Sequence, residues 1–411
     1  MNAPESVGHP LAAQQAHPAG LPLAGLRIIS VEQYGAGPFG TQHLADLGAE
    51  VIKIENPHDG GDVGRAVGPY YFGPGDSHFY QSFNRNKKSI TLDLKKPEGR
   101  EALRRLAAGA DVVFNNLRGD LPAKLGLTYE QLKDVNPAIV CGHLSAYGRS
   151  GSRAGWPGYD YLMQAEGGYL SGTRGPHRPP ARMGLSIIDL MTGTTAAMGL
   201  LAGVLGARST GVGRDIDVSL FDVALHNLAY VATWHLNGGK TVGREPRSSH
   251  PSLTPSQLYK TQDGWIFIMC NKEKFWGVLA QCIGKPEWAE APEYRTFKDR
   301  LAHRERLTEE LDAVLQTATT EAWMKRFAGR VPAAPVYDVA QALESDFVAE
   351  QQRLLPFEHA SGPVRMVASP VRAGEHPLRP APAMGEHTGE VLQQAGYTPA
   401  QIEALKASGA V

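Results

Sequence analysis

The run Leu26-Arg27-Ile28-Ile29-Ser30-Val31, then Gly35-Ala36-Gly37-Pro38, residues 41–47, Gly48-Ala49 and Glu50-Val51-Ile52-Lys53-Ile54-Glu55 decides the fold. Its first and last segments are short, apolar and rich in β-branched residues, as buried strands are. Between them the glycine-rich piece reads as a turn, and 41–47 as a helix that Gly48-Ala49 stops. Strand, turn, helix and strand within about thirty residues make a βαβ unit with a parallel strand pair.

Outward from this unit the alternation continues. Residues 89–94 and 111–114 read as strands around a helix over 97–108, which carries Pro and Glu in its first turn. A short helix over 128–135 and a strand over 139–144 follow. A long small-residue helix is expected from Leu190, then a strand over 214–220 and a helix over 221–236. This predicts an α/β fold with a large Rossmann-like domain, its parallel sheet doubly wound and its ligands beyond the C-terminal strand ends. Residues 238–255 are rich in Gly, Pro, Ser and basic residues and read as a linker. Beyond them Asp263-Gly264 sits between two β-prone runs, a hairpin signal, with helices over 274–282 and 303–315. Helices over 388–394 and from Pro399 end the chain. The expected domains are a disordered tail over 1–20, a large domain over 22–210 and 335–411, and a small α+β domain over 225–330.

Composition bounds the function. A chain of 411 residues exceeds what one core usually serves. Its 42% hydrophobic and 20% charged residues are those of a soluble globular protein. A net charge of −1 gives no electrostatic reason to expect nucleic acid or an anionic membrane as partner. Cys141, Cys270 and Cys282 have no CxxC spacing and lie in apolar contexts, so neither a metal site nor a disulfide framework is expected. Residues 1–20 have no basic start and no apolar core, unlike a signal peptide. The apolar stretch 190–207 holds three threonines and several glycines, which suits a buried helix rather than a membrane span. A cytoplasmic location is expected.

Several motifs carry chemistry. Gly35, Gly37 and Gly40 fit GxGxxG, but Pro38 removes an N–H where a phosphate would be cradled, and Glu55 is followed by Asn-Pro. A tight turn and helix packing is the preferred reading, in a loop placed to border an active site. Arg85-Asn86-Lys87-Lys88 is ordinarily a solvated patch; with Lys95, Lys96, Arg118 and Lys124 it also suits an anion-binding rim. Asp189 lies between an apolar stretch and the long helix, where it is either an N-cap or a nucleophile at the positive end of a helix dipole. His143, near a strand end, reads as structural. No Gly-x-Ser-x-Gly, HExxH or Walker loop is present.

Together these segments resemble the class III CoA-transferase family, which includes formyl-CoA transferase, carnitine CoA-transferase and α-methylacyl-CoA racemase. The resemblance is carried by residues 23–28, Gly48 to Glu55, Gly61-Asp62 with Arg65, and Asn84 to Ile90 with Leu92-Asp93-Leu94-Lys95. Pro157-Gly158-Tyr159-Asp160 with Gln164-Ala165 and Gly167, Asp189 with Thr192-Gly193, and Gly385-Glu386-His387-Thr388 complete it, so it spans residues 22–411. It implies a Rossmann-like domain built from both chain ends, two chains interlocked as a homodimer, and Asp189 as the catalytic aspartate. It implies coenzyme A as an acyl-CoA substrate, moved to a small carboxylic acid through an aspartyl anhydride and an aspartyl-CoA thioester. By position it implies CoA contacts at Leu92, Lys95, Asn116, Leu117, Arg118 and Lys124, and an acyl site at Gly35, Ala36, Tyr159 and Asp160. Where formyl-CoA transferase has a Gln this chain has Gly35, its arginine after the second strand is Asn56 or Pro57 here, and its glycine-rich covering loop has no counterpart over 238–264. Formyl-CoA and oxalate are therefore poor expectations; a dicarboxylic acyl group such as succinyl is a candidate, with Arg174, Arg178 and Arg182 preceding Asp189. A 2-methylacyl-CoA racemase is a rival reading, but the racemases have a His where this chain has Tyr159, a poor base near neutral pH. A non-catalytic CoA-binding subunit is another; it would have no need of Asp189.

Overall fold

The computed structural model describes residues 20–173, 179–241, 243–374 and 378–411, so the expected tail lies, except for Gly20, outside the described residues. Two compact units divide them. The first takes the residues up to Leu170, Arg182–Thr233 and Arg353–Val411; the second takes those of Ser171–Ala181 and Trp234–Gln352. The chain thus returns to the larger unit at Arg353, not at 335 as expected.

The larger unit is built on β1 (Arg27–Val31), β2 (Glu50–Glu55), β3 (Lys88–Thr91), β4 (Val112–Asn115), β5 (Val140–Ser145) and β6 (Arg214–Ser219). They form one all-parallel sheet in the order β3-β2-β1-β4-β5-β6. Its helices include α1 (Ala36–Asp46), α2 (Pro97–Ala108), α3 (Asp160–Glu166), α4 (Ile187–Thr210) and α5 (Leu220–Asn227). Strand side chains alternate between two covered faces. Ile28, Val51 and Val112 join one core with Leu44 of α1 and Leu200 and Val204 of α4. Ile29, Ile52 and Val113 join the other with Leu103 and Leu106 of α2. The segments Thr388–Gln394 and Pro399–Ala407 add Val391, Leu392, Ile402 and Leu405 to that second core, so the far end of the chain closes the first domain.

Two boundaries differ from expectation. The glycine-rich segment is not a turn: Gly37 and Gly40 lie inside α1, and Gly35 is its N-cap. Pro38 stands in the first turn, where a missing N–H costs nothing. Gly40 and Gly193 let α1 and α4 meet backbone to backbone; a Cβ on Gly40 would lie 2.4 Å from the Gly193 carbonyl oxygen, and one on Gly193 2.4 Å from that of Ala36. Helix α4 starts at Ile187 rather than Leu190. It is long and apolar enough to cross a membrane by length and composition alone, yet half of its apolar window is buried in the fold, as a core helix is.

The smaller unit holds the expected hairpin, Ser256–Lys260 against Trp265–Met269, joined antiparallel by Ala333–Pro335. Tyr259, Ile266, Ile268, Trp276, Leu311 and Trp323 form its core. Cys141 and Cys270 are buried and Cys282 half-buried, all as free thiols. The hairpin Leu354–His359 with Gly362–Val367 was not expected from the sequence.

Gly193→Ala is expected to lower stability by ~1–3 kcal/mol, since the added methyl must push apart two backbones rather than a flexible side chain. Urea denaturation of the variant against the native protein measures it.

Candidate active site

Strand order reverses between β1 and β4, and in an open parallel sheet the crevice beyond that point is where ligands bind. The loops after these two strands are tied together there. Asn116 accepts from the Gln33 N–H (2.9 Å) and donates to the Gln33 carbonyl (2.7 Å). The start of α4 reaches the same place. A Cβ on Gly35 would lie 2.8 Å from Oδ2 of Asp189, and one on Gly37 2.8 Å from Cγ of Asn116. Glycine at 35 is therefore what lets the Asp189 carboxylate sit against the β1 loop.

Asp189 is not the N-cap of its helix. Ser186 holds that position without a side-chain bond, and Asp189 is the third residue of the first turn. The cap comes from outside: Oδ2 of Asp160 accepts from the backbone N–H of Ile188 (2.6 Å) and of Asp189 (2.9 Å). Gln164 holds the other Asp160 oxygen (2.5 Å) and pins the approach to α4 through the Leu185 carbonyl and the Met183 N–H. Asp189 itself is 5% exposed, and its carboxylate has no hydrogen-bond partner among the described residues. Burial first, and the Asp160 charge second, push its pKa up to about 7. The expectation that the helix start would favour the anion is thus corrected: Asp160 has taken the free N–H groups, and its own charge opposes ionisation of its neighbour.

Behind the β1 loop lies a buried ion network. Lys53, fully buried on β2, donates to Asp62 (2.6 Å) and to the Glu32 carbonyl (3.0 Å). Lys87 donates to Glu32 (2.8 Å) and to the Pro38 carbonyl (2.9 Å). Arg65 clasps Glu55 through Nε (2.8 Å) and Nη2 (2.7 Å). Burial would raise the Glu55 pKa, but Arg65, Lys53 and Ser89 outweigh it and hold the carboxyl at about 2. Burial lowers that of Lys87 to about 8, against the pull of Glu32. Asp62 passes this rigidity forward: its Oδ1 accepts from the Tyr34 N–H (2.8 Å) and the Gly64 N–H (2.7 Å). Tyr34 is held with φ of 67°, its ring 5.0 Å from Phe79 and 6.0 Å, edge-on, from Tyr159.

The basic run is corrected by the same network. Arg85 is buried on Asp46 (2.6 Å), Lys87 on Glu32, and Lys88 on Glu50 (3.0 Å) and Glu390 (2.8 Å), so it is neither a solvated patch nor a rim. Of the other expected residues, Gly35, Asp160 and Asp189 come together, with Tyr159 exposed at the edge; Ala36 is buried against α4. Leu92 is a core side chain and its N–H is bonded to Glu55, so only its carbonyl remains to meet a ligand. Lys95 is exposed beyond β3; Asn116, half-buried Leu117 and exposed Arg118 follow β4. Arg118 and Lys124 are exposed and both pair with Asp120 (3.2 and 2.8 Å). Arg174 and Arg178 lie outside the described residues. The Arg182 guanidinium stands 4.3 Å over the ring of Tyr161, the neighbour of Asp160, and has no acidic partner among the described residues. His143 is buried between Asn115 (2.8 Å) and Asp215 (3.0 Å), as a structural histidine is. Sequence reading missed Glu32 and Tyr34 and quoted Asp62 only as part of a family motif; the local signal for the network was Lys53, a cation inside an otherwise apolar strand. A cavity of about 370 Å³ is lined by Phe39, Leu190, Thr194 and Met198 among others; at 100° per residue these α4 positions point away from Asp189.

Comparison with known proteins shows the family and the fold. The family model described as CoA-transferase family III matches residues 23–388. A succinate–glutarate CoA-transferase of Agrobacterium fabrum is 34% identical, over 91% of this chain and 95% of its own. An acetyl-CoA:oxalate CoA-transferase of Acetobacter aceti is 35% identical, over 85% and 89%. The crystal structure of a CAIB/BAIF family protein from Brucella suis superposes with a TM-score of 0.78 at 32% identity, covering 92% of this chain and all of that one.

A carboxyl whose pKa is higher folded than unfolded opposes folding once pH exceeds the unfolded value. Asp189→Asn is therefore expected to be more stable than the native protein at about pH 8, by up to ~4 kcal/mol, with the difference vanishing towards about pH 4. Denaturant titrations at the two pH values check this.

Proposed function

The chain belongs to CoA-transferase family III, and on that footing we propose that it transfers CoA from a donor acyl-CoA to an acceptor carboxylic acid with Asp189 as nucleophile. The observation that carries this reading is the Asp189 carboxylate, buried and unpartnered among the described residues, against Gly35 at the sheet's switch point. A pKa near neutrality suits the task, because such a carboxylate is more basic than an ordinary one and still substantially ionised.

Asp189 attacks the thioester carbonyl carbon and the C–S bond breaks, giving a mixed anhydride and CoA thiolate. The thiolate attacks the aspartyl carbonyl, releasing the donor acid as carboxylate and leaving an aspartyl-CoA thioester. The acceptor carboxylate attacks that thioester, and the thiolate expelled returns to the acceptor's acyl carbon, regenerating Asp189. Every intermediate stays activated and no proton need move. Water must be kept out, which a 5% exposed carboxylate favours. Lys95, Asn116, Leu117, Arg118, Lys124 and the Leu92 carbonyl are assigned to CoA, with Arg118 and Lys124 exchanging Asp120 for phosphate. Gly35, Ala36, Tyr159 and Asp160 surround the acyl group.

A dicarboxylic acyl group fits best. Arg182, stacked on Tyr161 and free of any acidic partner among the described residues, is assigned to its distal carboxylate. The similar proteins named above act on succinate, glutarate and oxalate, all dicarboxylic. An interlocked homodimer in the cytoplasm completes the proposal.

Asp189→Ala is expected to abolish transfer while CoA still binds, with binding followed calorimetrically; appreciable turnover in that variant sinks the mechanism. Arg182→Ala is expected to raise KM for succinyl-CoA by ~10-fold or more while leaving that for butyryl-CoA nearly unchanged. Equal effects on both thioesters would remove Arg182 from the acyl site.

A further inference from the structure

Tyr34 stands in the left-handed backbone region, at φ of 67°, where a bulky side chain is a true outlier. Such a conformation persists only where the surroundings fix it, and here they do. Its N–H is bonded to Asp62, which is anchored in turn by fully buried Lys53. The residue that follows, Gly35, touches Asp189 and offers it no side chain. The Tyr34 ring is wedged between Phe79 and Tyr159, so packing alone would be served as well by phenylalanine. The hydroxyl is not used by the fold: it has no hydrogen-bond partner among the described residues and, on a half-buried side chain, is open to an incoming ligand. Burial first, then the charge of Asp189, raises the phenol's pKa, which keeps it protonated.

Three amide donors in the first turn of α4, those nearest the Asp189 carboxylate in sequence, are already engaged. Those of Ile188 and Asp189 serve Asp160, and that of Leu190 serves the Ser186 carbonyl. A thioester attacked by Asp189 develops negative charge on its carbonyl oxygen, and a donor already in place at that oxygen lowers the barrier. We propose that Tyr34 is the side-chain donor at the acyl centre, its O–H bonded to the thioester oxygen and holding it as an oxyanion while Asp189 adds. As Asp189 bonds to carbon, the carbonyl π pair moves to oxygen; it returns when the C–S bond breaks, and the phenol keeps its proton throughout. This rests on Asp189 being the nucleophile.

The test compares Tyr34→Phe, Tyr34→Leu and Asp189→Ala in steady-state transfer with succinyl-CoA. Tyr34→Phe is expected to lower kcat by ~10²-fold or more, with KM for the acyl-CoA within about threefold, and Tyr34→Leu to lose a similar factor. A Tyr34→Phe kcat within about threefold of the native value overturns the proposal, and loss in Tyr34→Leu alone assigns the residue to packing. Activity surviving in Asp189→Ala would instead remove the reading on which the proposal rests.

Discussion

The site depends on a set of buried ion pairs that lie behind it. Lys53 with Asp62, Lys87 with Glu32 and Arg65 with Glu55 occupy the C-terminal ends of β1 and β2, where an apolar core would otherwise continue. Burying such charges costs solvation that their attraction does not reliably repay, so they are poor candidates for extra stability. What they supply is direction. Each carboxylate has a fixed set of donors, and the last link, Asp62 to the Tyr34 N–H, sets the backbone where β1 turns into α1. With that turn set, Gly35 can meet Asp189 and the two glycines of the helix crossing can register α1 against α4.

Asp160 and Asp189 show how environment divides like groups. Both are almost wholly buried, and one hydrogen-bonds the backbone that carries the other. Asp160 receives two amide donors and the amide of Gln164; Asp189 receives none among the described residues. A carboxylate left without a donor among the described residues, beside a second carboxylate, is less stabilised as an anion than a solvated one. The long helix α4 is tied to this arrangement at its first turn and buried against the sheet for much of its length, so the position of Asp189 is inherited from the core.

Much of the fold was legible residue by residue. The apolar strands 26–31, 50–55, 111–114 and 139–144 form where expected, because both faces of a parallel sheet are covered and burial shows as continuous hydrophobicity. The glycines at 35, 37 and 40 were visible but their purpose was not. They read as a tight turn with helix packing; the packing is there and the turn is not, and they are small because Asp189, Asn116 and Gly193 come from sequence positions more than seventy residues away. The basic run at 85–88 failed for a related reason: composition reports charge, and only the fold reveals that Asp46 and Glu32 wait inside to meet it.

The division follows from the range of the forces involved. Periodicity and helix-start residues act within a few positions, so the sequence by itself determined the strands of the parallel sheet, most of the longer helices and, through its ordered motifs, the family. Which carboxylate caps α4, which one is left without a partner, and which cations are buried depend on side chains converging from β1, β2, α3 and α4. No local rule carries that information, because a carboxylate's character is set by the donors and charges within a few ångströms of it. Tertiary structure decided that Asp160 is the cap and that Asp189, without a hydrogen-bond partner among the described residues, has a raised pKa, although the sequence had named them both.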